Sequence, residues 1–351
     1  MDGDPEQGNG KGGRGSSPGL LERLSGGTVI CAEGYLFECE RRGYLQAGAY
    51  VPEVVLEHPE VVTQLHRDFV HAGSDVVEAF TYYAHREKLK VIGRESDLEP
   101  LNRQALEIAK AVAKEAGALV AGNISNTNIY SPETRDEVRR MFVEQVTWAV
   151  EAGVDYIIGE TFGPGPEAVL ACEAIKETGL PAVVTFVADY DRGPNQDWTA
   201  AETCMRLEDA GADVVGLNCC FGPWTMYPYL EGIAKSVSVP VAALPVPYRT
   251  HYGQPTMQSL VDDRLGVRAF PVALDPFTCN RFEIAQFARL AYDAGVRYLG
   301  LCCGAAPHHI RSLAEALGRK PPASRYSADI SKHYYYGSEA RRYASAAHTR
   351  G

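Results

Sequence analysis

Apolar residues along this chain recur in short unbroken runs, and most of these runs follow a helix-ending Ala-Gly or Thr-Gly pair. The pattern is visible in HAGSDVVEAF (71–80), EAGALVAGNI (115–124), EAGVDYIIGE (151–160), TGLPAVVTF (178–186), DAGADVVGLNC (209–219) and DAGVRYLGLCC (293–303). Glycine supplies the left-handed residue that stops a helix, and an apolar run behind it reads as a strand buried on both faces, as parallel strands are. Between the runs lie amphipathic segments. In 131–153, Val138, Met141, Phe142, Val146 and Ala149 recur at helical spacing, with Ser131 as a predicted cap and Pro132 in a predicted first turn.

The predicted strands are 28–33, 74–80, 118–123, 154–160, 181–187, 212–218, 239–245 and 297–302. Eight strands joined by helical crossovers predict a single-domain (β/α)8 TIM barrel over residues 20–320. A doubly wound sheet is the less supported alternative, because ICAEGYLFE stands after the first strand in place of a Gly-x-Gly-x-x-Gly turn. In a barrel the C-terminal strand ends form the active site. The repeat then acts as a ruler: seven or eight residues past the glycines lie Phe80 and Thr81, Glu160, Cys219, and Cys302 with Cys303.

Three cysteines at strand ends suit a tetrahedral Zn2+ ion with a fourth position left open, and soft thiolates favour zinc over magnesium or calcium. The vicinal Cys302-Cys303 pair is awkward as a disulfide, since adjacent Cα atoms sit closer than a relaxed bridge requires. Cys31, Cys39, Cys172, Cys204 and Cys279 belong to no such constellation and read as small buried hydrophobes. Cys220 can be read either way.

Composition adds exclusions. With 34 Lys and Arg against 45 Asp and Glu the net charge is −11, and no basic run interrupts it, so nucleic acid is not an expected partner. No apolar stretch approaches the roughly 18 residues of a membrane span, and the first twenty residues lack a signal-peptide core. The expected location is cytoplasmic, and the nine cysteines are expected as free thiols or metal ligands. Residues 1–19 are polar and Gly-rich and read as a disordered leader.

At the cysteines the sequence resembles the homocysteine S-methyltransferase family, whose motifs appear here as Gly216-Leu217-Asn218-Cys219 and Gly300-Leu301-Cys302-Cys303-Gly304. Leu301 stands where the family has glycine. The resemblance covers about residues 20–320 and is greatest to the betaine-using enzymes. It implies that zinc on Cys219, Cys302 and Cys303 binds the thiol of homocysteine, which then takes a methyl group from an onium donor held against aromatic faces. It further implies that Glu160 takes the amino group of the acceptor. Glu33 stands where an aspartate is usual, in a segment reading Glu33-Gly34-Tyr35 in place of Asp-Gly-Gly, and these three residues are expected at the substrates. Tyr83 matches a tyrosine facing the reacting groups. Tyr50 stands where a tryptophan contacts the quaternary ammonium, although plain core packing explains it equally well. Tyr35, Ala79 and Thr161 all depart from the family around the donor, so a sulfonium such as S-methylmethionine or dimethylsulfoniopropionate is an alternative donor and a different thiol an alternative acceptor.

The tail 321–351, with Tyr334-Tyr335-Tyr336, is expected either to pack on a second subunit of a homodimer or to fold back on its own barrel. The homocysteine module of cobalamin-dependent methionine synthase is a weaker rival, since 351 residues leave no room for its other domains. A rival of another class is a non-catalytic barrel whose structural zinc is closed by His308 or His309. Their place after Pro307 suits a helix start better.

Overall fold

A computed structural model describes residues 18–163, 165–188, 198–333 and 336–337. The leader expected over 1–19 therefore falls almost wholly outside the described residues, as do Tyr334 and Tyr335.

Eight parallel strands run in chain order: β1 (Val29–Ala32), β2 (Val76–Glu78), β3 (Leu119–Ser125), β4 (Tyr156–Phe162), β5 (Ala182–Phe186), β6 (Val214–Asn218), β7 (Val241–Leu244) and β8 (Val296–Leu301). Each pairs with the next from β2 to β8, and β8 pairs with β1. The seam between β1 and β2 is closed partly by side chains. The Asp75 carboxylate accepts from the Ile30 amide at 2.8 Å, the Asp75 amide donates to the Ile30 carbonyl at 2.8 Å, and Ser74 Oγ accepts from the Ala32 amide at 3.3 Å. The expected (β/α)8 barrel is the observed fold.

Period-two alternation along the strands separates two cores. One face packs outward under the helices. The other fills the barrel with Val29, Cys31, Val76, Leu119, Ala121, Tyr156, Ile158, Val183, Val214, Leu244 and Tyr298, and a short helix (Leu20–Gly26) plugs the floor with Leu20 and Leu24. The two interior tyrosines satisfy each other, hydroxyl to hydroxyl, at 2.9 Å. Cys39, Cys172, Cys204 and Cys279 lie in the outer core, as expected of small hydrophobes.

One local expectation needs correction. The third crossover helix starts at Arg135 and not at Pro132, because Ser131 and Thr134 bond each other in a turn: the Ser131 amide donates to Thr134 Oγ1 at 2.8 Å. The apolar face predicted for that helix is nonetheless buried. A long excursion, for which the sequence pattern gives no element, joins β7 to the helix Arg281–Asp293. It carries a small antiparallel ladder, Val261–Asp262 against Val267–Arg268, and leans over the barrel mouth.

The first part of the tail packs on its own barrel. Ala323 is buried, and Arg311 of the last crossover helix donates to its carbonyl at 3.3 Å. Among the described residues no helix is long and apolar enough to cross a membrane.

Candidate active site

The end of β7 sets the spacing of the three cysteines. It lies between β6 and β8, and its last carbonyls hold both neighbours: the Cys219 amide donates to Leu244 O at 2.9 Å and the Cys302 amide to Pro245 O at 3.0 Å. The Sγ atoms of Cys219, Cys302 and Cys303 lie within 4.8 Å of one another, with Cys302 and Cys303 at 3.8 Å, and all three residues are buried. This set can hold a metal ion. Gly304 makes the turn possible. Its φ of 92° suits glycine, and a Cβ there would lie 2.2 Å from the Tyr248 hydroxyl.

The thiols share charge unequally. Hydrogen bonds from Cys220, Cys302 and Cys303 hold Cys219 well below the ordinary thiol range. Burial first, then the contact with Cys219, push Cys302 up. The same contact is the leading cause for Cys303. His309 takes no part: its Nδ1 accepts from the Ala306 amide at 3.1 Å and its Nε2 lies 3.2 Å from Cys279 O. It starts the helix Pro307–Ala316, so it does not close the cysteine set.

Backbone strain marks the same place. Among the described residues, the non-glycine positions with positive φ are Tyr50, Tyr83, Asn128, Thr161, Cys219 and Cys220, and every one of them lines a single cavity of about 370 Å³ above the cysteines. Left-handed backbone costs a non-glycine residue about 1–3 kcal/mol, persists only where the surrounding structure over-determines it, and clusters at functional sites. Four of these six, Tyr50, Tyr83, Thr161 and Cys219, are singled out by the sequence, and a fifth, Cys220, stands beside Cys219.

That cavity is walled by aromatic rings. Tyr50 stacks on Phe37 with centroids 5.6 Å apart, and Phe270 from the long excursion lies 6.5 Å away. Tyr82 and Tyr83 pack at 4.2 Å, and Lys88 Nζ sits 3.8 Å from the Tyr83 ring centre. The Tyr50 hydroxyl is buried without a hydrogen-bond partner. Such a wall offers π-faces to a cation.

Below it, the inward register of the strands ends in a polar layer. Glu33, Glu78 and Glu160 are all buried, and with Asn123, Cys302 and Cys303 they line a second, small cavity of about 20 Å³. Asn123 Nδ2 donates to Glu78 at 2.5 Å and to Glu160 at 2.7 Å. Asn218 Nδ2 donates to Glu160 at 2.9 Å and to Thr161 Oγ1 at 2.8 Å, and more weakly to Glu33 at 3.4 Å. Burial is the leading cause that pushes all three carboxyls up, Glu160 to about 7 and the other two well above the usual carboxylate range. A layer of this kind accepts hydrogen bonds and favours a cation.

The structure thus brings Glu33, Tyr35, Glu160, Cys302 and Cys303 to the lower cavity, and Tyr50, Tyr83, Thr161 and Cys219 to the upper one, while Cys303 borders both. Tyr35 is also core, packed edge-on against His66 and Phe69. Gly34 serves close approach: a Cβ there would lie 2.3 Å from Ala305 O. Residues not singled out include Glu78, Asn123, Phe37 and Phe270. The first two belong to the inward register of their strands, Glu78 at the end of β2 and Asn123 ahead of Ser125 in β3, a placement that shows only once the barrel is closed. Cys31 differs from its expected role, because its thiol donates to Glu78 Oε2 at 3.9 Å.

Comparison with known proteins agrees with this geometry. The chain is 38% identical to betaine–homocysteine S-methyltransferase 1 of Danio rerio, with 92% of this chain and 81% of that protein covered. It is 39% identical to the Bos taurus protein of the same name, with 87% and 76% covered. It is also 38% identical to the S-methylmethionine–homocysteine S-methyltransferase of Mus musculus, with 87% and 84% covered. The metallated homocysteine methyltransferase of Escherichia coli shares the fold, with a TM-score of 0.64 at 18% identity over 82% of this chain and 95% of that one. The family model for homocysteine S-methyltransferase matches residues 34–317, and the chain belongs to that family.

Proposed function

We propose that the protein transfers a methyl group from a betaine-like onium donor to homocysteine, giving methionine, with Zn2+ held by Cys219, Cys302 and Cys303. The observation that carries this reading is the stacking of two cavities across one cysteine set: an aromatic chamber above, a carboxylate-lined pocket below, and Cys303 on the boundary of both. Sulfurs about 2.3 Å from a tetrahedral zinc ion stand about 3.8 Å apart, and the Cys302–Cys303 separation of 3.8 Å fits this. When bound, zinc would keep the acceptor thiol ionised at neutral pH.

The residues divide the remaining work. Glu160 and Glu33 accept hydrogen bonds from the amino group of the acceptor, an ammonium–carboxylate contact strengthened by burial. That contact aims the acceptor sulfur at the cysteine rim. Tyr50, with Phe37 behind it, holds the onium methyl groups on the opposite side, so sulfur, methyl carbon and leaving atom fall in line. The sulfur–carbon bond forms as the carbon–nitrogen bond breaks, and the leaving amine keeps the electron pair. The aromatic wall excludes water, which would otherwise solvate both nucleophile and cation.

A sulfonium donor is the second reading, supported by the equal identity to the S-methylmethionine-using mouse protein. The test is methionine formation from homocysteine with betaine, S-methylmethionine and dimethylsulfoniopropionate in turn. At least one should yield methionine; silence with all three would refute the proposed reaction.

A further inference from the structure

Glu78 has no part in the reaction described so far, yet it is 2% exposed and borders the lower cavity beside Glu33 and Glu160. Oxygens of Glu33 and Glu160 lie within 4.8 Å of each other, and so do oxygens of Glu33 and Glu78. Asn123 Nδ2 bridges Glu78 and Glu160. Two neutral amides, a threonine hydroxyl and a thiol are the donors these carboxylates have been given. No lysine or arginine lines the cavity among the described residues. Buried carboxylates without a counter-charge are costly.

Two buried oxygens beside the cavity also lack any partner: Glu33 Oε1 and the amide oxygen of Asn123, residues that are 6% and 4% exposed. Both are acceptors. The unpartnered polar atoms at this small space, which opens onto Cys302 and Cys303, are therefore acceptor oxygens. A primary ammonium is the complement: three N–H donors on one charged centre and no acceptor. One carboxylate per N–H accounts for three glutamates where two would bind the charge.

We propose that Glu78 is the third carboxylate of an ammonium cradle, so that Glu33, Glu78 and Glu160 together select thiol acceptors that carry a free, unsubstituted amine. This rests on the amino-thiol acceptor proposed above. It adds that a secondary amine, with one N–H replaced by carbon, leaves one carboxylate unpaired and binds less well. An inorganic cation is the competing occupant, since Cys31, Glu33 and Glu78 also converge within 4.8 Å. The ammonium is favoured because Glu33 also converges with Glu160 and Cys302 within 4.8 Å, which ties the carboxylates to the cysteine rim where the acceptor thiol is presented.

The test is calorimetric titration of the full-length, metal-loaded protein with homocysteine, N-methylhomocysteine and 4-sulfanylbutanoate, which lacks the amine. The wild-type protein should bind them in that order of falling affinity. Glu78→Gln preserves shape and the Asn123 contact, and metal content and melting behaviour report its integrity. It should weaken homocysteine about 10- to 100-fold, as expected for one charge-assisted hydrogen bond, while 4-sulfanylbutanoate changes by less than about threefold. Equal losses for both thiols, no loss for either, or a wild-type preference that tracks added sodium or potassium would overturn the role of Glu78 and leave the homocysteine reading intact. Failure of the wild-type protein to bind any of the three would overturn the acceptor reading and this inference with it.

Discussion

Replacing Asn218 by leucine removes the most connected side chain of the site while keeping its branched shape and heavy-atom count. Asn218 is fully buried. Its oxygen accepts from the Thr161 amide at 2.9 Å, and its nitrogen donates to Glu160 at 2.9 Å and Thr161 Oγ1 at 2.8 Å. In Asn218→Leu the Thr161 amide is left without a partner, and stranding a buried donor costs about 1–3 kcal/mol. The bond to an ionised Glu160 is worth about 1.5–3 kcal/mol more. Together these predict a loss of about 2.5–6 kcal/mol, a large share of the 5–15 kcal/mol typical of folded proteins. The second contribution depends on pH. Burial lifts Glu160 to about 7, so the carboxyl is ionised at pH 8 and protonated at pH 5.5. Losing the Asn218 donor raises that folded pKa further, so the mutant sheds stability as pH climbs through 7. Urea unfolding of chelated wild-type and variant protein at both pH values measures the difference without the metal. A cost below about 1 kcal/mol at pH 8, or one that does not shrink at pH 5.5, refutes the bonding scheme.

Tyr50→Phe should leave stability unchanged or slightly raised, because it deletes a buried hydroxyl that has no partner. Tyr50→Ala should raise the KM for the onium donor roughly 2- to 30-fold with little change for homocysteine, the range of a desolvated cation–π contact; steady-state kinetics with each substrate varied decides this, and equal effects on both substrates would contradict the assignment. Glu78→Gln should stabilise the substrate-free, metal-free protein at neutral pH. Burial raises the folded pKa of Glu78 above its ordinary 4.5, so its ionisation opposes folding as pH rises past that value, and the advantage of the variant should fade toward pH 4.5. Buried His66 and His309, both lowered to about 3 by desolvation, give the opposite slope below about 6.5, but they are common to both proteins and cancel in the comparison. Melting temperatures across pH 4.5–8 test this, and a variant less stable than wild type at pH 8 would contradict it.

The barrel was legible because its strands are buried on both faces and its helices end in glycine, two signals that do not depend on tertiary detail. The cysteines were legible for a related reason, since each follows a buried run directly. Glu78 was not. Its strand ends five residues after Gly73, whereas Glu160 lies seven after Gly153, so a fixed ruler passes over it to Phe80 and Thr81. Only the inward alternation of Val76 and Glu78, visible once the barrel closes, places it in the polar layer. Phe270 and Met257, which also lines the upper cavity, were hidden for a different reason. They come from the excursion after β7, whose path over the mouth is set by contacts distant in sequence, such as the Met257 amide donating to Cys220 O at 2.8 Å. The start of the helix at Arg135 was misread because Ser131 and Thr134 satisfy each other, and a local side-chain turn competes with a cap.

The central claim is that three cysteines just past the ends of β6 and β8 hold a zinc ion on which the acceptor thiol is presented to the donor. Metal analysis of the purified wild-type protein beside Cys219→Ala, Cys302→Ala and Cys303→Ala tests it most directly. The account predicts about one zinc per chain in the wild type and loss of that zinc in each variant. Full retention in all three variants, or a wild-type protein that takes up no zinc, would contradict it.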